Sequence, residues 1–180
     1  MKKWKLISSK MAFDHKWFKL RQDKVELPNG KILDDYFVWL YGSVVLVVPV
    51  TENGKFVLVR QYKHGADEII TEFPAGFVDE GETAEEAARR EVEEETGYSF
   101  QDLQLLATTY ANPTKAVGKI SIYLAKNAVQ NKEAKPEETE DIEVLVKNKD
   151  EIMEIINNGE ICTADSIAGF FLAIMELEKN

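Results

Sequence analysis

The chain has 180 residues, long enough for one domain with a full core and a small appendage. Its formal net charge of −10 and the lack of a basic patch argue against a nucleic-acid surface, and its one cysteine, Cys162, excludes an internal disulfide framework. The longest apolar run, SVVLVVPV at 43–50, is too short to span a bilayer, and the lysine-rich start has no apolar stretch behind it of the kind a secretory signal needs. A cytoplasmic protein with no membrane or nucleic-acid partner is expected, with Cys162 as a small buried residue.

In chain order, KWKLISSKMAF, WFKLRQDKVEL and YFVWLYG carry strand character, and LPNGK between the second and third is an Asn-Gly turn. SVVLVVPV, the turn TENGK and FVLVRQYK read as an antiparallel hairpin, and PAGFVDEGE as a loop of glycines and acids. A helix is expected from about Ala84 to Thr96, because Thr83 and Glu86 fit a capping box and Gly97 fits the position that ends a helix. LQLLATTYA, GKISIYLAKN and DIEVLVKN read as further strands, with the acidic VQNKEAKPEETED as an exposed loop before the last. Two helices, KDEIMEIINNG and DSIAGFFLAIMELEK, close the chain. This order predicts an α/β protein whose mixed sheet carries helices on both faces.

The expected helix ends in REVEEETGY, with four glutamates in nine residues. At about 100° per residue, Glu91 and Glu95 continue the stripe of Ala84, Ala87 and Ala88, Glu94 lies at its edge, and Glu86, Arg89 and Glu93 point away. Small residues mark the face that packs against a neighbouring layer. Carboxylates on that face cost free energy unless a cation or strong donors satisfy them. An acidic protein that handles a phosphate ester also needs metal ions to bring the two together.

Gly76, Glu82, Arg90, Glu91, Val92, Glu94, Glu95, Gly97 and Tyr98 reproduce the pattern Gx5Ex7REUxEExGU, with Tyr98 the one departure from an aliphatic residue. Over most of its length the sequence resembles the Nudix hydrolases. The resemblance implies an α/β/α sandwich with a mixed β-sheet (residues 42–180) and an N-terminal antiparallel β appendage (1–41) for dimerisation and base binding. It implies Mg²⁺ as cofactor, with Mn²⁺ able to replace it, and hydrolysis of a nucleoside diphosphate linked to another group. By the same resemblance Glu91, Glu95 and the carbonyl of Ala75 are metal ligands, Glu94 supports them directly or through water, and Arg90 pairs with Glu82 to orient the cluster. Hard cations suit such oxygen donors.

The flanks narrow the resemblance. EFPAGFVDEGE, which starts at Glu72, and Pro113, fifteen residues after Tyr98, are similar to the branch that splits ADP-ribose and other nucleoside diphosphate sugars. VRQYK resembles that branch's RQ(Y/F)R strand, which puts Arg60 and Lys63 at the substrate; lysine keeps the charge there but loses the bidentate fork. HKWFKL and the segment after LPNGK resemble the N-terminal arm of these enzymes. That makes Trp17 and Tyr36 the base-stacking candidates and implies a homodimer with swapped N-terminal strands, whereas Phe37 and Trp39 read as core. KPEETEDIEV resembles the loop that carries the catalytic base, with Glu138 as the base and Glu140 as metal support or the alternative base. The implied reactions are ADP-ribose to AMP and ribose 5-phosphate, or GDP-mannose to GMP and mannose 1-phosphate. A dinucleotide polyphosphate or coenzyme pyrophosphatase, and a non-catalytic nucleotide-sugar sensor, stay open.

Overall fold

The apolar run at 43–50 forms strand β4 (Val44–Thr51), buried on both faces because it lies inside a sheet covered on two sides. In this computed structural model, which describes residues 1–136 and 139–179, β4 runs between β5 (Phe56–Lys63), antiparallel to it, and β10 (Ile120–Gln130), parallel to it. The two-residue period of the strands sorts the core. Val45, Val47, Val57, Tyr123 and Ala125 face helix α1 (Ala84–Thr96). Leu46, Val48, Phe56, Leu58, Ile122 and Leu124 lie on the opposite side with Ile152 of α2 (Lys149–Asn157) and Phe170 and Ala173 of α3 (Ala164–Leu177). The result is the expected mixed sheet with helices on both faces.

Short strands complete the sheet. β6 (Glu68–Glu72) pairs with β5, β7 (Ala75–Phe77) with β4, and β8 (Tyr98–Ser99) and β9 (Asp102–Thr109) with β10; β11 (Ile142–Lys147) lies antiparallel to β5. Two details differ from the sequence reading. The β4–β5 hairpin is joined as strands only at Val50 and Phe56, because further along β4 takes β7 as its partner and β5 takes β6. And β7 is a strand inside the stretch that reads as a glycine-rich loop, placing Gly76 opposite Val45.

Residues Met1–Ser43 and Tyr110–Lys119 form a unit of their own, the remainder from Val44 forming the other. In the first unit β1 (Lys5–His15), β2 (Phe18–Glu26) and β3 (Ile32–Trp39) make an antiparallel sheet, and Gly30 takes the left-handed conformation that the Asn-Gly turn requires. Its one buried charge, among the described residues, is Asp23. That carboxylate accepts both arms of the Arg21 guanidinium (2.8 and 2.9 Å) and the Ser9 hydroxyl (2.8 Å). The segment 110–119 docks on β3: Trp39 N–H donates to Lys115 O at 2.7 Å and Val117 N–H to Trp39 O at 3.2 Å.

Three residues expected inside are not. Phe37 and Trp39 are 38% and 36% exposed, since a three-stranded sheet has no second layer within its unit to bury both its faces. Trp39 instead continues a row of rings, Phe13, Phe18, Trp39 and Tyr41, with neighbouring centroids 6.2, 5.4 and 4.7 Å apart. Cys162 is exposed in the turn between α2 and α3. No helix among the described residues is long and apolar enough to cross a membrane.

Phe170 is fully buried, edge-on to Phe56 at 5.4 Å. Phe170→Ala is expected to cost about 3–5 kcal/mol of stability. In urea unfolding this reads as a lower midpoint with an unchanged slope; a midpoint equal to the wild type's would mean that the ring is not part of the core.

Candidate active site

Both ends of α1 are fixed by its own sequence. Thr83 Oγ1 accepts the Glu86 N–H (3.2 Å) while the Glu86 carboxylate accepts the Thr83 N–H (2.8 Å). At the other end Gly97, at φ 71°, closes the helix by donating to Glu93 O. Ala87, Ala88 and Val92 are fully buried against the sheet, and the same stripe runs on into Glu91 and then Glu95, which is only 3% exposed. Strand β7 meets these two glutamates with its backbone. The Ala75 N–H donates to Glu95 Oε2 at 3.3 Å, and a Cβ added to Gly76 would overlap the Glu91 carboxylate.

Arg90 ties the cluster together. Its Nε and Nη2 hold Glu82 through both oxygens (3.0 and 2.9 Å), and Nη2 also donates to Phe77 O at 2.9 Å. Its Nη1 reaches Glu91 at 2.7 Å and Glu94 at 3.3 Å. The bond to Arg90, then the Asp79 N–H, hold the Glu82 carboxyl below its ordinary range. Burial raises Glu91, and Arg90 opposes it. Burial, followed by the charges of Glu91 and Glu140, pushes Glu95 up to about 9 against the pull of Lys63.

Among the described residues no three acidic, histidine or cysteine side chains stand together in the geometry of a metal centre, and Arg90 lies between Glu91 and Glu94. The donor set nevertheless suits a hard divalent cation. Glu91, Glu95 and Glu140 bring carboxylate oxygens whose mutual repulsion a cation would reverse, and the absence of a side chain at Gly76 lets the Glu91 carboxylate lie against the β7 backbone. Because Glu82 and Phe77 O hold the guanidinium on their own, Glu91 and Glu94 can turn to other partners without freeing Arg90.

Around this cluster, strand alternation sorts the remaining candidates. Lys63 lies on the α1 face of β5, in phase with Val57, and pairs at 2.8 Å with the half-enclosed Glu72, which also accepts from Gln61 Nε2 at 3.4 Å. Arg60, expected beside Lys63, is three residues away along a strand and so lies on the opposite face; it pairs with Glu143 of β11 at 2.5 Å. Glu140 is close enough for its charge to act on Glu91 and Glu95, whereas Glu138 lies outside the described residues.

Trp17 and Tyr36 both lie in the N-terminal unit but apart from each other, Trp17 in the β1–β2 turn and Tyr36 opposite Asp23. Trp17 is 79% exposed, with the Lys16 ammonium 4.8 Å from its ring. Tyr36 is engaged: its hydroxyl donates to Thr114 O, Lys115 sits 4.1 Å from its ring and Trp4 meets it edge-on. Glu93 lies on the solvated side of α1, as expected, and there pairs with Lys132, a partner that the lysines following β10 could have signalled.

Comparison with known proteins places the glutamate helix and the strand of Gly76 in a known class of enzyme domain. A NUDIX domain model matches residues 40–158, and a model of the nucleoside diphosphate sugar hydrolase N-terminal domain matches 4–39. The chain belongs to the Nudix family and is a Nudix hydrolase. It is 32% identical over 161 residues to an ADP-ribose pyrophosphatase of Bacillus subtilis (strain 168), covering 89% of this chain and 86% of that one. It is also 32% identical over 178 residues to a methanol dehydrogenase activator of Bacillus methanolicus, covering 98% and 96%. A crystal structure of an ADP compounds hydrolase shares the fold with a TM-score of 0.88 at 22% identity, covering 99% of this chain and 96% of that one.

Gly76→Ala tests the contact between β7 and α1. The new methyl must displace the Glu91 side chain, whose end is flexible, so hydrolytic turnover is expected to fall about 10²-fold while Tm moves only a few degrees. Wild-type turnover would mean that Glu91 works from elsewhere.

Proposed function

We propose that the protein hydrolyses the pyrophosphate bond of nucleoside diphosphate sugars in a Mg²⁺-dependent reaction, splitting ADP-ribose and water into AMP and ribose 5-phosphate. The observation that carries this reading is Glu95, a carboxylate at 3% exposure beside Glu91 on the face that α1 turns to β7. A carboxyl group so placed ionises readily only with a cation or strong donors beside it. The N-terminal domain match and the ADP-ribose pyrophosphatases among the relatives support the substrate class.

Glu91, Glu95 and the Ala75 carbonyl would hold Mg²⁺ or Mn²⁺, with Glu94 and Glu140 in support. Bound there, a divalent ion neutralises phosphate charge and makes a water easier to deprotonate. The protein's own groups do the rest. Arg90, anchored on Glu82 and Phe77 O, sets the orientation of Glu91 and Glu94. Lys63, held by Glu72, offers a positive charge to the substrate phosphates on the α1 face. Glu138 takes the proton of the attacking water, Glu140 being the alternative base. A base is stacked by Trp17, whose ring is largely exposed. The protein acts in the cytoplasm as a homodimer with exchanged N-terminal strands, a reading supported by β1, all eleven residues of which are exposed.

ADP-ribose and GDP-mannose incubated side by side, with Mg²⁺ and with chelator, are expected to yield a nucleoside monophosphate only with the metal, ADP-ribose reacting faster. Chromatography of the products checks this; sugars that bind but survive intact would make the protein a sensor. Glu138→Gln is expected to lower kcat at least ~10²-fold with little change in substrate binding. Unchanged turnover passes the role to Glu140.

A further inference from the structure

The chain that leaves β10 does not go straight to the acidic segment before β11. It is first stitched across the end of the glutamate helix. Asn131 N–H and Lys132 N–H both donate to Gly97 O at 3.2 Å, and Lys135 N–H donates to Glu94 O at 2.8 Å. The Asn131 side chain bonds Ser99 Oγ at 2.8 Å, and Lys132 pairs with Glu93. Gly97 makes this approach feasible. A Cβ there would strike the backbone of Lys132 and crowd Glu133 and Ala134, and its left-handed φ already disfavours a side chain. α1 has no basic residue in its last turn, so Lys132 brings the positive charge that complements the negative end of the helix.

Beyond this strap the chain continues to Glu140. From Lys135 to Glu140 the chain advances five residues, at most about 18 Å. Two residues past Glu140, Ile142 is paired with Gln61 of β5. Glu140 thus lies in sequence five residues after a backbone N–H bonded to α1 and two before a residue paired in the sheet, and its charge acts on Glu91 and Glu95.

We propose that the strap Asn131–Lys135 is a positioning element of the active site: by bonding the last carbonyls of α1 it fixes Glu140 against Glu91 and Glu95 and thereby sets divalent-cation affinity. The proposal rests on the metal reading above. Its residues do not touch substrate. They act through the carboxylate that the strap places, and Glu93, which faces away from the cluster, takes part as the strap's ionic anchor.

The decisive variant is Lys135→Pro, which deletes the N–H bonded to Glu94 O. Pro136 already disfavours helical backbone at residue 135, so a proline there interrupts no helix. Lys135→Ala, which keeps the N–H, is the control. Mn²⁺ binding to the full-length protein is followed by electron paramagnetic resonance without substrate, beside kcat and KM for ADP-ribose. Lys135→Pro is expected to bind Mn²⁺ about tenfold more weakly and to lose kcat with KM little changed, while Lys135→Ala behaves as wild type. Wild-type Mn²⁺ affinity in Lys135→Pro overturns the proposal and leaves the metal reading intact; a wild-type protein that binds no Mn²⁺ overturns both. Should Lys135→Pro fail to fold, Glu93→Lys and Lys132→Glu decide the matter. Each alone is expected to weaken Mn²⁺ binding and the two together to restore it; a pair that restores nothing overturns the strap's role.

Discussion

A helix packed by alanines comes close to its sheet, and this one carries two carboxylates on the packed face. Much of the site follows from that constraint. Close approach leaves no space for a side chain where β7 meets the Glu91 carboxylate, hence glycine at 76. The backbone of β7 then lies near enough for the Ala75 N–H to reach Glu95. Burial makes the negative charge costly, and the nearby guanidinium of Arg90 compensates Glu91 while Lys63 compensates Glu95 in part. Each of these cations has a carboxylate of its own, Glu82 for Arg90 and Glu72 for Lys63, so that neither depends on the cluster for its place.

The helix was legible because its signals are local and redundant: a capping box, a left-handed glycine and a period of 3.6 agree on the same thirteen residues. The stripe that placed Glu91 and Glu95 inside required nothing beyond that period. The short strands were not legible for the opposite reason. Three residues of β7 carry no alternation, and their strand character comes from pairing with β4, from which β5 and β6 separate them in the chain. The same non-local pairing opened the β4–β5 hairpin. Arg60 was misplaced because a motif read as a string has no faces, whereas a strand has two. Phe37 and Trp39 were read as core from their size, but whether an aromatic residue is buried depends on how many layers its sheet belongs to. Cys162, too, was assigned from residue type alone, and its place in a turn exposes it.

The loop after β10 shows how a wet-looking stretch can be ordered by backbone. Its lysines and glutamates suggest solvent, and Lys132, Glu133 and Lys135 are indeed exposed. From Asn131 to Lys135 its path is set by carbonyl groups that the end of a helix cannot satisfy within itself. Those groups are invisible to any reading of side-chain character, since every helix has them whatever its sequence.

The hydrogen bonds between β3 and residues 115–117 have a consequence for how this protein can be recombined. The two family models meet at residues 39 and 40, which invites treating the N-terminal arm as a cassette that could be exchanged among related enzymes. Trp39 and its partners in the 110–119 segment form one ladder across that seam. A graft cut at the seam would leave the acceptor with a loop shaped for a strand it no longer has. The transferable piece is discontinuous in sequence: the arm together with the ten residues that rest on it, which must travel together or not at all.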